Sequence, residues 1–238
     1  MAELIDVEKL DKASFAKLMD HSPLHPYYQE EDIRQAIQEC RDYGFGAIYV
    51  GGCWVPMVVE ELSDMDIEIG IGVGFPFGTA STEAKLAEAE DALKKGATSL
   101  DLQINTGFLK DGRYDEVLDE IKGIVDIAGD QAITKIIIEV GYLNHEQIKT
   151  ACKIVEEAGA DYAKTSSGRG DRGPYLEEIK LMREVLSPAV KVKASGIGGY
   201  FPTTIALACI RAGAVRIGTR RGVEIVEGLE LARKLGLA

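Results

Sequence analysis

Short runs rich in valine and isoleucine alternate with longer amphipathic stretches along this whole chain, a rhythm that few folds share. β-branched and alternating runs predict strands over 46–50, 68–73, 99–104, 134–139, 161–165, 190–194 and 215–218, with a shorter one within 18–24. Between them a helical period predicts helices over 30–43, 82–95, 114–128, 145–158, 175–186, 202–212 and 222–235. In 82–95, for instance, Ala84, Leu86, Ala87, Ala89, Ala92 and Leu93 fall mostly on one face. Gly44, Gly96, Gly159 and Gly213 each close a helix just before the next strand, as the left-handed cap that turns a chain back toward a parallel strand.

Eight βα units in 238 residues match the usual size of a closed (β/α)8 TIM barrel. An open doubly wound sheet shows the same alternation, but it would carry a dinucleotide fingerprint after its first strand, and Val50-Gly51-Gly52-Cys53 is not GxGxxG. No linker, low-complexity tract or break in composition divides the chain. Residues 1–238 are therefore expected to form one α/β domain, a (β/α)8 barrel.

Composition narrows the partners. With 27 Lys and Arg against 39 Asp and Glu, the net charge of −12 repels nucleic-acid phosphates and anionic membrane surfaces, so neither is expected as a partner. The excess acid on the helices reads as a solvated outer ring. Apolar runs stop well short of the roughly 18 residues a spanning helix needs. The acidic start MAELIDVEKLDKASF does not read as a secretory leader. Cys40, Cys53, Cys152 and Cys209 are scattered without a CxxC pair, which suits a reducing, cytoplasmic setting and gives no zinc or iron–sulfur site.

The strands carry charge where parallel strands are normally greasy. Period two puts Asp101, Gln103 and Asn105 on one face of 99–105, and Lys135 and Glu139 on one face of 135–139. The next two strands place Lys164 and Lys193 toward their C-terminal ends, where barrel enzymes keep their catalytic groups. Isolated buried ions are costly, so these side chains should share one site. If these strands are neighbours, with backbones about 4.8 Å apart, the two ammonium groups disfavour each other, and one should lose its proton well below the ordinary lysine value. A neutral amine attacks carbonyls to form a Schiff base, with Asp101 able to move protons between iminium and enamine. The reaction type this suggests is carbon–carbon bond cleavage or formation by an imine mechanism.

Three loops at the same rim are rich in glycine and arginine: 165–173, with Gly168, Arg169 and Arg172; 195–199, with Gly196 and Gly198; and 216–222, with Gly218, Arg220 and Arg221. Barrels commonly hold phosphate on the backbone of such loops, where glycine permits close approach. The positive cluster Arg169, Arg172, Arg220 and Arg221 stands out against an acidic whole, and the loops are expected to bind phosphate at Gly168, Arg169, Gly196, Gly198, Gly218 and Arg220.

At this point the motifs GTASTEAK (78–85), GATSLDLQIN (96–105), ADYAKTSSG (160–168) and VKASG (192–196) identify a resemblance that runs from Asp20 to Gly228. The sequence resembles the deoxyribose-phosphate aldolases, class I aldolases on a (β/α)8 barrel. The resemblance implies that Lys164 forms the imine, that Lys193 keeps it unprotonated, and that Asp101 relays protons. It places supporting substrate contacts at Asp20, Ser22 and Lys135. It implies reversible cleavage of 2-deoxy-D-ribose 5-phosphate to glyceraldehyde 3-phosphate and acetaldehyde, with no metal or other cofactor, by a homodimer or higher homo-oligomer.

Departures from the family pattern bear on the substrate. The front motif, usually DHTLLKP, reads DHSPLHP. Tyr49, placed among the substrate-binding residues, stands where a cysteine is usual, and Gly51 and Gly52 replace Asn-Pro. Val140 replaces threonine, Ser195-Gly196-Ile197-Gly198-Gly199 lacks the arginine of SGGIR, and Arg220 and Arg221 replace small hydroxyl residues. Either the phosphate grip has moved between loops, or a second anionic group such as a carboxylate is read there. A related aldolase for another phosphorylated or carboxylated sugar, a silent sugar-phosphate-binding barrel and a phosphosugar isomerase are the alternatives. Of the three histidines, His145 reads as a surface residue and His21 as structural, while Trp54, Tyr27 and Tyr28 read as packing or interface residues.

Overall fold

A computed structural model of the chain describes residues 4–237. Its strands are β1 (Met19–His21), β2 (Ala47–Tyr49), β3 (Glu68–Val73), β4 (Ser99–Gln103), β5 (Ile133–Ile137), β6 (Tyr162–Lys164), β7 (Lys191–Ser195) and β8 (Arg216–Thr219). All are parallel and pair in chain order, and β8 pairs back onto β1 to close the barrel. Closure excludes the doubly wound sheet.

The surrounding helices follow the apolar period read from the sequence: Glu30–Tyr43, Thr82–Lys94, Tyr114–Ala128, His145–Glu157, Leu176–Val185 and Pro202–Arg211. Their ends follow local chemistry. The Ser81 hydroxyl accepts from the Ala84 N–H, and Asn144 and Gln147 cap each other reciprocally. Gly44 ends its helix at φ 67°, and Gly96, Gly159 and Gly213 also adopt positive φ. The stretch read as one helix over 222–235 is two, Gly222–Glu227 and Leu229–Lys234, divided at Gly228. Helices Lys12–Lys17, Val55–Glu61 and Thr106–Lys110 were not anticipated, because five to seven residues show too little of a helical period.

The apolar core lies outside the barrel, between strands and helices. Ile48, Ile69, Ile71, Leu100, Leu102, Ile136, Ala163, Val192, Ala194 and Ile217 point outward into it. Their alternates point inward and are mostly polar: Asp20, Tyr49, Glu68, Ser99, Asp101, Gln103, Lys135, Lys164, Lys193 and Arg216. The hydrophobic effect thus holds the strands from one face alone, and the other face is free to carry ions.

Candidate active site

Strand register brings the charges together. Asp101 lies opposite Lys135 across β4 and β5, Lys164 opposite Lys193 across β6 and β7, and Lys193 opposite Arg216 across β7 and β8. Inside the barrel Lys164 Nζ donates to Asp101 Oδ2 at 2.6 Å, and Lys193 Nζ donates to the same oxygen at 2.8 Å. Lys193 Nζ also lies 2.6 Å from Asp20 Oδ2, which Lys135 Nζ meets at 3.1 Å. Lys135 then reaches Glu68 at 2.6 Å, and Arg216 contacts both Glu68 and Asp20, the latter at 3.0 Å from its Nε.

Four cations therefore face three carboxylates in a continuous ladder. With every group ionised the ladder carries one uncompensated positive charge, which burial makes expensive. The release falls on Lys193. Burial lowers its ammonium to about 8, with Lys164 and Lys135 adding repulsion, while Asp101 and Asp20 oppose the drop. The expected amine–amine repulsion is present, but burial is the larger cause. Burial pushes the Asp101 carboxyl up, yet Lys164, Lys193 and Lys135 overcome that and hold it at about 2. Burial likewise opposes ionisation of Asp20, and Lys135, Lys193 and Arg216 bring it below its ordinary value.

Tyr49 packs inside the same ladder. Its hydroxyl lies 2.7 Å from Ser99 Oγ, and the Lys193 ammonium sits 3.9 Å from the ring centroid. Gly70 on the next strand makes room, since a Cβ there would fall 2.4 Å from the ring. A phenol fits in this barrel because its neighbour has no side chain.

Above the ladder opens a cavity of about 180 Å³, whose walls include Ser22, Lys164, Gly168, Arg169, Gly196, Gly218 and Arg220. Lys164 is the ladder amine that reaches it. Asp20, Lys135 and Tyr49, expected among the substrate-binding residues, lie at 0–1% exposure beneath the cavity and are not among its walls, Asp20 and Lys135 within the ion ladder and Tyr49 packed against it. Gly198, expected with the phosphate group, is also not a wall. It lies where an added Cβ would meet nothing within 4 Å, because the loop turns outward after Ile197. Gly168 and Gly196 approach each other closely at φ 78° and 75°, bringing bare backbone to the cavity edge.

The rim arginines divide by partner. Arg172 makes a two-point ion pair with Glu178, at 2.6 and 2.9 Å, and Arg221 pairs with Glu224. Arg169 reaches the Leu24 carbonyl at 3.0 Å and Arg220 contacts the His25 ring, and neither guanidinium has an acidic partner among the described residues. His21 Nε2 lies 2.9 Å from Glu39 and its ring stacks on Phe45, a structural setting as expected. His145 is exposed and Trp54 packs half-buried against the core, while Tyr27 is exposed. Glu68 and Arg216 were missed as members of the ladder. The signal was there, since both are charged residues opening a strand, but each alone resembles a solvated strand end.

No described helix is long and apolar enough to cross a membrane, and no group of three or more His, Cys, Asp and Glu side chains among the described residues could hold a metal ion.

Residues 14–233 match the family model described as DeoC/LacD family aldolase. The deoxyribose-phosphate aldolase of Enterococcus faecalis is 42% identical over 212 residues, covering 89% of this chain and 96% of the relative. That of Thermococcus gammatolerans is 45% identical over 216 residues, covering 90% and 95%. A solved structure described as the unique tetrameric structure of deoxyribose phosphate aldolase from Aeropyrum pernix superposes with a TM-score of 0.86 at 28% identity, covering 94% of each chain.

Proposed function

The chain belongs to the DeoC/LacD family of aldolases, and from that premise we propose that it reversibly cleaves 2-deoxy-D-ribose 5-phosphate through an imine on Lys164. The observation that carries the assignment of roles is the sharing of Asp101 Oδ2 by two amines, of which Lys164 faces the cavity.

In its neutral form, which grows as pH rises toward about 8, Lys193 is the internal base. It takes the Lys164 proton by way of the Asp101 carboxylate, which touches both nitrogens. The freed Lys164 amine attacks the C1 aldehyde carbon, and loss of water leaves an iminium. A base takes the C3 hydroxyl proton, the C2–C3 bond breaks, and its electron pair enters the iminium to form an enamine. Asp101 suits that proton transfer, directly or through a water, because it stays ionised and its Oδ1 has no hydrogen-bond partner among the described residues. Glyceraldehyde 3-phosphate departs, the enamine carbon takes up a proton, and water hydrolyses the imine to release acetaldehyde. The covalent lysine adduct serves as the electron sink, so this reading needs no metal or cofactor.

The phosphate is held by Arg169, Arg220 and the backbone at Gly168, Gly196 and Gly218, with Ser22 on the facing wall. Asp20 and Lys135 act from below by setting the charge on Lys193, with the Tyr49 ring packed against its ammonium. A homo-oligomer is proposed on the description of the Aeropyrum relative as tetrameric.

Borohydride added during turnover of deoxyribose 5-phosphate tests the proposal. A reduced two-carbon adduct on the Lys164 peptide supports it, and turnover with no adduct there, or with one elsewhere, removes the assignment.

A further inference from the structure

A second, smaller cavity lies against β4 and β5, across the barrel mouth from the loops after β7 and β8. Its walls include Pro76, Phe77, Gln103, Glu139, Tyr142 and Ser167, and it shares Ser167 and Arg169 with the main cavity. Its volume of about 70 Å³ is several times the roughly 10–15 Å³ a single water needs.

Two of its wall residues are buried acceptors without a partner. Gln103 is 1% exposed and Glu139 is 2% exposed, and the Oε1 atom of each has no hydrogen-bond partner among the described residues. Such atoms cost about 1–3 kcal/mol when left unpaired, so a fold that keeps two of them in one small cavity has a use for them. Glu139 is also held at φ 54°, a left-handed conformation unusual for a residue with a side chain. Its other oxygen, Oε2, accepts from the Ser167 N–H at 3.0 Å, which ties the carboxylate to the loop that follows Lys164. Gln103 sits two residues beyond Asp101 on the same inward face of β4.

A hydroxyl matches this pair. It donates to the Glu139 carboxylate and can also accept from the Gln103 amide, whose oxygen and nitrogen ends interchange by rotation. In a ring of eight strands β4 lies opposite β8. A substrate bound to Lys164 with its phosphate toward the β7 and β8 loops therefore turns its carbonyl half toward Gln103 and Glu139. We propose that Gln103 and Glu139 form a hydroxyl-binding subsite for the carbonyl half of the aldol, so that this aldolase accepts α-hydroxylated aldehydes as donors alongside acetaldehyde. The inference rests on the Lys164 imine proposed above.

With glycolaldehyde the atoms balance as follows. The lysine amine and the aldehyde lose one water to form the imine. The carbon bearing the hydroxyl loses a proton to give the enamine and bonds to the aldehyde carbon of glyceraldehyde 3-phosphate, whose oxygen takes up a proton. Water then hydrolyses the imine, and an aldopentose 5-phosphate leaves with no net oxidation or reduction.

The test runs the wild-type enzyme in the synthetic direction with glyceraldehyde 3-phosphate and either acetaldehyde or glycolaldehyde. Glycolaldehyde should reach a kcat/KM within about tenfold of acetaldehyde, and Gln103→Leu should lower the glycolaldehyde-to-acetaldehyde ratio by about tenfold or more. Glu139→Gln, which keeps a hydrogen-bonding end, should lower that ratio less than Glu139→Leu. Borohydride trapping of wild type with both aldehydes at equal concentration gives a readout that needs no variant, and both adducts should appear on Lys164. Acetaldehyde turnover with no glycolaldehyde product, or a ratio unmoved by Gln103→Leu, overturns the subsite and leaves the imine reading intact. Trapping of neither aldehyde on Lys164 overturns both.

Discussion

Lys164 and Lys193 face each other across the β6–β7 register and donate to one and the same oxygen of Asp101, at 2.6 and 2.8 Å. The two nitrogens are thus less than twice 2.8 Å apart, with a carboxylate between them through which a proton can pass. Lys164 is at the cavity and Lys193 is sealed below it, which is the separation the proposed imine mechanism requires.

Replacing the reacting amine should stop the chemistry without unfolding the barrel. Lys164→Ala is expected to lose at least about a thousandfold in kcat/KM and all borohydride-dependent labelling. Circular dichroism of the variant should match the wild type. Substantial residual turnover would place the nucleophile elsewhere.

The pH profile should report the charge on Lys193. Its neutral form grows as pH rises toward about 8, so kcat/KM should climb through that range and level off above it. One pH unit below the midpoint the rate should be about a tenth of the plateau. In Lys193→Met that ascending limb should disappear from pH 8, and activity at neutral pH should fall by about a hundredfold.

Asp101→Asn removes the shared acceptor and leaves buried cations without a counter-charge. We expect a loss of about 3–5 kcal/mol in unfolding free energy, together with most of the activity. The wild type should show the matching acid sensitivity. Asp101 titrates at about 2 in the fold against an ordinary 3.8, so the stability it contributes is present above the ordinary value and is lost as pH falls through about 2. Asp20 shifts in the same direction. Urea titrations between pH 2 and pH 7 would check both statements.

Tyr49 and Gly70 should behave as a pair. Gly70→Ala puts a methyl 2.4 Å from the phenol ring and is expected to cost about 1–3 kcal/mol through overpacking. With Tyr49→Cys in the same chain most of that cost should vanish, which a double-mutant cycle would show as coupling. Additive effects would mean that the ring is free to move aside.

Arg220→Ala should raise KM for deoxyribose 5-phosphate far more than KM for unphosphorylated deoxyribose, because its guanidinium lines the cavity and has no acidic partner among the described residues. Arg172→Ala should leave that ratio nearly unchanged, since Arg172 is already spent on Glu178. Comparing the two substrates in steady-state assays separates a phosphate contact from a general loss of fold.

Most strands and helices were legible in the chain because each depends on local period and on a cap, and the count of eight βα units pointed to the barrel. The cap at Gly44 and the inward face of β4 needed no knowledge of any other part of the molecule. Lys164, Lys193 and Asp101 were legible too, as charges in strands that ought to be apolar. Glu68 and Arg216 escaped because a charge at the first residue of a strand has a cheaper explanation in solvent, and only closure of the ring brings them to Asp20 and Lys135.

Sequence alone determined which faces of the strands are apolar and which carry charge; closure of the ring placed those charges inside it. Tertiary structure alone decided how those ions are shared: that Asp20 and Lys135 meet in a buried ion ladder with Lys193 against the Tyr49 ring, and that Gly198 is not a wall of the cavity. The reason is physical. Apolar patterning is written in neighbouring residues, whereas the charge state of a buried amine depends on groups up to 173 positions away in the chain, as Asp20 is from Lys193, which only the closed ring brings to 2.6 Å.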